Sequence, residues 1–125
     1  MIAHTGITVK DYESAKKFYT ALLAPLGYAL YMDLPEYRVI GFLEGAHSSF
    51  WLSAKDEVPP THVAFLAKSK KDVDDFYKAG LDAGGTDNGA PGYRVNYSPG
   101  YYAAFIHDAD KNNIEAVWFD DSKAK

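Results

Sequence analysis

The sequence predicts an α+β domain of two tandem βαβββ units, forming a cupped mixed sheet with the helices on its outer face. Three observations carry this prediction. His4 and His62, Phe18-Tyr19 and Phe76-Tyr77, Ala21 and Ala79, Leu23 and Leu81, and Gly27 and Gly85 all lie 58 residues apart. Each segment so related reads as a strand, a helix and three further strands. A hydrophobic content of 47%, with 10 Tyr and 7 Phe in 125 residues, suits a packed, sheet-rich globule. Unit one spans about residues 1–58, unit two about 59–119, and a polar tail 120–125, all within one domain. Neither unit alone has enough strands to cover its sheet, so the two must pack together.

The elements follow from local sequence. Residues 3–9 (AHTGITV) read as a short strand. Asp11 is a good helix N-cap, and Tyr12, Ala15, Phe18, Tyr19, Leu22 and Leu26 recur at helical spacing until Pro25 and Gly27 stop the pattern. Residues 28–33, 37–43 and 50–53 read as strands, with Pro35 and the segment 44–49 as the turns between them. After Pro59-Pro60 the order begins again with a strand at 61–67. Ser69, with Asp72 three residues on, resembles a capping box, and Val73, Phe76, Tyr77 and Leu81 form an apolar stripe ending at Gly84-Gly85. Gly80 inside that helix costs about 1 kcal/mol relative to alanine. Asn88-Gly89 and Ala90-Pro91-Gly92 read as a long loop, followed by a strand near 93–97. A hairpin closes the chain: apolar runs at 101–106 and 114–119 flank a polar turn from Asp108 to Asn113.

One residue of that hairpin does not fit a packed sheet. Ile114, Ala116 and Trp118 share one face of the strand and Glu115, Val117 and Phe119 the other, so both faces are apolar. A buried carboxylate is costly unless a proton, a cation or a metal pairs with it. The turn before it has the 1, 3, 5 spacing of a calcium loop in Asp108, Asp110 and Asn112. It lacks the glycine at the sixth position, which is Asn113, and the glutamate at the twelfth, which is Phe119. In the first strand His4, Gly6 and Thr8 share one face, and in its repeat His62, Ala64 and Leu66 do. The bulkier opposite sets should face the helices, which leaves both histidines on the inner, open faces. Two imidazoles and one carboxylate from three strands have the composition of a facial metal triad with open positions for substrate.

These residues together resemble the vicinal oxygen chelate superfamily, which includes glyoxalases, bleomycin-resistance proteins and extradiol dioxygenases. The resemblance covers essentially the whole chain. It rests on the strand carrying His4, the helix start Asp11-Tyr12-Glu13-Ser14-Ala15 leading to Phe18-Tyr19, the strand Thr61-His62-Val63-Ala64-Phe65, and the closing Asp108-Ala109-Asp110-Lys111-Asn112-Asn113-Ile114-Glu115. The last resembles the family's Asp-Pro-Asp-Gly-Asn-x-Ile-Glu, with Ala109 in place of the proline and Lys111 in place of the glycine. The resemblance implies a divalent ion (Fe, Mn, Zn or Ni) held by His4, His62 and Glu115, and a homodimer. Four-ligand members carry a further Glu or Gln where this chain has Ser49-Phe50-Trp51-Leu52, which disfavours a four-ligand glyoxalase chemistry and leaves a three-ligand one open. Glu115 and Tyr102 are the candidate catalytic residues. Arg94, Tyr97, Tyr101 and Trp51 are candidates for substrate contact, Arg94 for an anionic group and a tyrosine hydroxyl for an oxyanion. His47 and His107 lie in or beside turns and read as exposed.

Composition narrows the partners. Seventeen acids against thirteen Lys and Arg give a net charge of −4, which disfavours nucleic acid and anionic membranes, and Lys68-Ser69-Lys70-Lys71 reads as a solvated helix start. Without cysteine, thiolate catalysis and sulfur-ligated metals are excluded. The start MIAHTG has no basic segment followed by a long apolar one, and no apolar run approaches ~18 residues, so a soluble cytoplasmic protein is expected. The function expected is a divalent-metal-dependent lyase, isomerase, transferase or dioxygenase acting on a small molecule with adjacent oxygens. The alternatives are a metal-free protein that sequesters a small molecule or antibiotic in the same aromatic cup, and a triad surviving without a ligand.

Overall fold

The computed structural model describes residues 2–123. Unit one runs β1 (His4–Val9), α1 (Tyr12–Leu23), β2 (Ala29–Leu34), β3 (Val39–Glu44) and β4 (Ser48–Ala54). Unit two runs β5 (His62–Leu66), α2 (Lys70–Asp82), β6 (Thr86–Tyr93), β7 (Tyr101–His107) and β8 (Asn113–Phe119). Each unit forms one four-stranded mixed sheet, ordered β1-β4-β3-β2 and β5-β8-β7-β6. The first strand of each unit pairs in parallel with its last, and the other pairings are antiparallel. Of the polar tail expected at 120–125, residues 124 and 125 lie outside the described residues. Its first residue, Asp120, is buried and accepts hydrogen bonds from Tyr93 Oη (2.7 Å) and Ser122 Oγ (2.5 Å).

Both helices begin where the sequence places their caps. Asp11 Oδ1 accepts from Ser14 N at 2.9 Å and Ser69 Oγ from Asp72 N at 3.1 Å. Gly27, with φ 89°, ends the short 3₁₀ turn that follows α1. Gly80 lies buried in α2, where a Cβ would stand 2.8 Å from Leu22 and 3.0 Å from Ile106. Its missing side chain lets α2 approach unit one and β7, which offsets the loss of helix propensity.

One element falls elsewhere than the sequence predicts. Residues 86–93, expected as a loop, form β6, whereas the expected strand near 93–97 is mostly turn. β6 is the outer edge of its sheet and its register slips on both sides of Gly89, so Pro91 lacks no ladder bond that a central strand would need.

The alternation of the strands sets what is buried. Ile7 and Val9 of β1, and Phe65 with Ala67 at the end of β5, are buried on the helix side, whereas His4, Gly6, His62, Ala64 and Leu66 are exposed on the open side. The core is continuous across the units: the Phe65 ring lies 5.0 Å from Phe50 and 5.3 Å from Tyr28. A polar clasp reinforces the join. Fully buried Asn112 donates from Nδ2 to Thr8 O of β1 (3.0 Å) and to Asp108 Oδ2 (2.9 Å), and its Oδ1 accepts from Thr61 N at the start of β5 (2.9 Å). Asp108 Oδ2 also accepts from Tyr19 Oη of α1 at 2.5 Å.

Several tyrosines donate to carboxylates, and this sets an alkaline limit. Tyr102, buried and bonded to Asp74, has its hydroxyl pushed up to about 12 by burial and then by that carboxylate. Burial and Asp108 likewise hold Tyr19 well above the ordinary tyrosine value. Above about pH 10 the folded chain therefore keeps protons that the unfolded chain releases, and stability falls as pH rises from 10 toward 12. The urea midpoint should drop between pH 9 and pH 11.5, and Tyr102→Phe should reduce the drop. An equal drop in the variant would exclude Tyr102 as a contributor.

Candidate functional site

Glu115 sits on the open face of the second sheet, between Ala64 of β5 and Phe105 of β7. It is 2% exposed. Its two oxygens have separate partners: Oε1 lies 2.9 Å from His62 Nε2, and Oε2 accepts the hydroxyl of Tyr101. His62 and Glu115 meet because β5 and β8 pair in parallel and both side chains rise from the same face. Tyr101 reaches them from β7, and burial followed by the Glu115 carboxyl raises its hydroxyl well above the ordinary value. Tyr101 thus remains a hydrogen-bond donor throughout the neutral range.

The other candidates divide. Arg94 binds the carbonyls of Gly92 and Ala90 at 2.8 Å each, and its guanidinium stands 5.3 Å from the centre of the Phe105 ring. It holds its own loop beside the site, and a ligand would have to share it with these partners. The exposed Tyr97 packs edge-on against Tyr101 with ring centres 5.1 Å apart. Tyr102 corrects the expectation: it lies on the helix side, donating to Asp74 Oδ1 at 2.6 Å, because successive strand residues alternate faces and Tyr101 takes the open one. His47 is exposed, whereas His107 is half-buried within β7. Phe105 is a further residue of the site that the sequence motifs do not mark. It packs against His62 at 6.4 Å and stands opposite Glu115 in the closing hairpin; counting register back from the Asp108–Asn112 turn would have found it.

His4 and Trp51 lie on the open face of the first sheet. His4 is exposed and shares with His62 a cleft of about 340 Å³ between the edges of β1 and β5. Among the described residues, no three His, Asp or Glu side chains come close enough to hold one metal ion. Within a single chain the donor set therefore offers two positions of a facial triad, His62 and Glu115.

The family model described as Glyoxalase/Bleomycin resistance protein/Dioxygenase superfamily matches residues 1–116. The chain belongs to this superfamily. A glyoxalase/bleomycin resistance protein from Albidiferax ferrireducens T118 is 27% identical and superposes with a TM-score of 0.81, over 96% of this chain and 99% of that one. Two more distant structures share the fold. A lactoylglutathione lyase from Agrobacterium tumefaciens has a TM-score of 0.71 and 19% identity, covering 94% and 92% of the respective chains. A glyoxalase/bleomycin resistance protein/dioxygenase family enzyme from Burkholderia phytofirmans PsJN has a TM-score of 0.71 and 17% identity, covering 94% and 97%. No protein of curated function matches the sequence. Within the superfamily frame the register is informative: Gly6 pairs with Trp51 as Ala64 pairs with Glu115, so Trp51 occupies in unit one the place that Glu115 holds in unit two. Among the described residues no helix is long and apolar enough to cross a membrane.

Proposed function

We propose that this protein is a divalent-metal-dependent enzyme acting on a small molecule with two adjacent oxygens, its ion held by His62 and Glu115 of one chain and His4 of a second copy. The observation that carries this reading is the buried Glu115 carboxyl paired with an imidazole on an otherwise open sheet face. A carboxyl group so buried is costly, and such groups cluster at functional sites. When bound, the ion would supply Lewis acidity to the substrate oxygens. The chain's own groups have definite tasks around it. Glu115 orients the His62 ring, Tyr101 Oη offers a proton to an oxyanion, and Phe105 shields the pair from one side.

Apolar exposure on the open face supports a second copy as cover. Leu66 is 68% exposed and Phe119 48%. Protein purified without chelator or nickel resin should carry roughly one divalent ion per chain, and His62→Ala little. Iron would direct the search to oxygen insertion, and manganese, zinc or nickel to isomerisation or transfer. Failure of the metal-free protein to take up Mn, Fe, Ni or Zn would overturn the reading.

One observation favours the metal-free binding alternative: both Glu115 oxygens already have hydrogen-bond partners inside the chain. On that reading chelator-treated protein would bind its ligand as tightly as untreated protein.

A further inference from the structure

We infer that the cleft between α1 and the β7–β8 turn is a second binding site, suited to a small organic cation: a protonated amine carried on an aromatic ring. The inference does not rest on the ion site, and this cleft shares no lining residue with the one that holds His4 and His62. Its volume is about 400 Å³. Small-molecule sites usually run from ~300 to ~1,000 Å³. Val9, Ala15 and Phe18 of unit one form an apolar wall, and Ala83 at the end of α2 with the segment Asp108–Asp110 lines it from unit two, so the cleft straddles the join. The repeat shows what keeps it open. Counting from the N-caps Asp11 and Ser69, Ala15 of α1 corresponds to Val73 of α2. The left-handed glycines that follow the helices, Gly27 and Gly84, are preceded by Leu26 in unit one and Ala83 in unit two. Val73 and Leu26 are 0% and 5% exposed, and the short turn carrying Leu26 packs on α2. The larger side chains fill the equivalent place, and both smaller ones, Ala15 and Ala83, fall on this cleft.

The polar groups decide the charge of the occupant. Asp11, Asp108 and Asp110 line the cleft against one cation, Lys10, and among the described residues none of the four joins an ion pair. Asp108 is satisfied within the chain, by Tyr19 Oη, Asn112 Nδ2 and the N–H groups of Asp110 and Asn112. Asp110 is not. Its Oδ2 accepts from Lys10 N at 3.0 Å, and its other oxygen has no hydrogen-bond partner among the described residues. Asp11 caps α1, yet its counterpart Ser69 caps α2 without a charge, so capping alone does not call for a carboxylate here. Such a rim attracts cations and repels anions. An ammonium brings donors to the open oxygen of Asp110, and the wall of Val9, Ala15 and Phe18 receives the ring.

The test titrates the whole protein with 2-phenylethylamine, protonated at neutral pH, and with 2-phenylethanol and phenylacetate, its neutral and anionic counterparts. Binding is followed by the methyl resonances of Ala15 and Ala83. The amine should shift both and bind about fivefold more tightly than the alcohol, the upper range for a partly exposed ion pair. It should also raise the melting temperature as its concentration rises. Asp110→Asn keeps an acceptor for Lys10 N and should bring the amine down to the affinity of the alcohol. Ala15→Leu fills the wall and should abolish binding of both. An amine no tighter than the alcohol, tighter binding of phenylacetate, or no binding of the amine would overturn the inference. So would amine binding that survives Ala15→Leu, or shifts at Phe105 and Tyr101 in place of Ala15 and Ala83, which would put the ligand at the other site. Each site has its own probe: failure of the amine leaves the ion site standing, and failure to take up metal leaves this cleft standing.

Discussion

Replacing Glu115 with leucine is expected to abolish metal binding while leaving the fold as stable as the parent or more so. A residue kept for stability would behave in the opposite way. Glu115 lies in register with Phe105 and Ala64 and buries a carboxyl group whose hydrogen-bond partners among the described residues are His62 and Tyr101. His62 is exposed and Tyr101 half-buried, so water can satisfy both once the carboxyl is gone. Removing one partner of a buried pair is costly where the other is left buried and unpaired, and here both remaining groups can reach water. Loss of one of so few ligands should lower metal affinity by at least about 100-fold. Thermal melting and metal analysis of one preparation decide it. A large fall in melting temperature would mark Glu115 as structural.

The second large effect is expected at Asn112. Alanine there removes the acceptor for Thr61 N and the donors to Thr8 O and Asp108, all within the join between the units. Each buried polar group left without a partner costs about 1–3 kcal/mol, so a loss of about 3–5 kcal/mol is expected, a large share of the ~5–15 kcal/mol typical of a domain. Melting should fall by roughly 10–20 °C. Asn112→Asp should be no better than alanine, because it sets a second carboxyl beside Asp108 Oδ2 in place of the amide that donates to it. Near-parent stability of Asn112→Ala would show that the apolar core alone joins the units.

Much of this was legible in the sequence because it depends on local pattern. The 58-residue offset, the caps at Asp11 and Ser69 and the alternation around His4, His62 and Glu115 all translate directly into elements and faces. The offset holds as far as β6 and then breaks, because the turns between β6 and β7 lengthen unit two. β6 is not legible for a physical reason: an edge strand with bulges tolerates the Asn, Gly and Pro that signal a loop. Tyr101 and Tyr102 are adjacent and chemically identical, and only strand register tells which of them faces Glu115. The role of Asn112 was hidden for a different cause. A turn motif reveals its own hydrogen bonds, whereas Asn112 also bonds to Thr8, more than a hundred residues earlier. His4 shows the same limit, since pairing rules place it on an open face without saying which chain supplies its neighbours.

The most direct test of the shared site mixes two inactive parents. His4→Ala and Glu115→Ala chains, each unable to build a complete triad, are refolded together and the mixed assembly is isolated by differential tags. If His4 of one copy completes the His62 and Glu115 pair of another, the mixed assembly regains about one ion for every two chains while each variant alone holds little. Failure of the mixture to regain any ion, with the parent protein loaded normally, would contradict a site built from two copies.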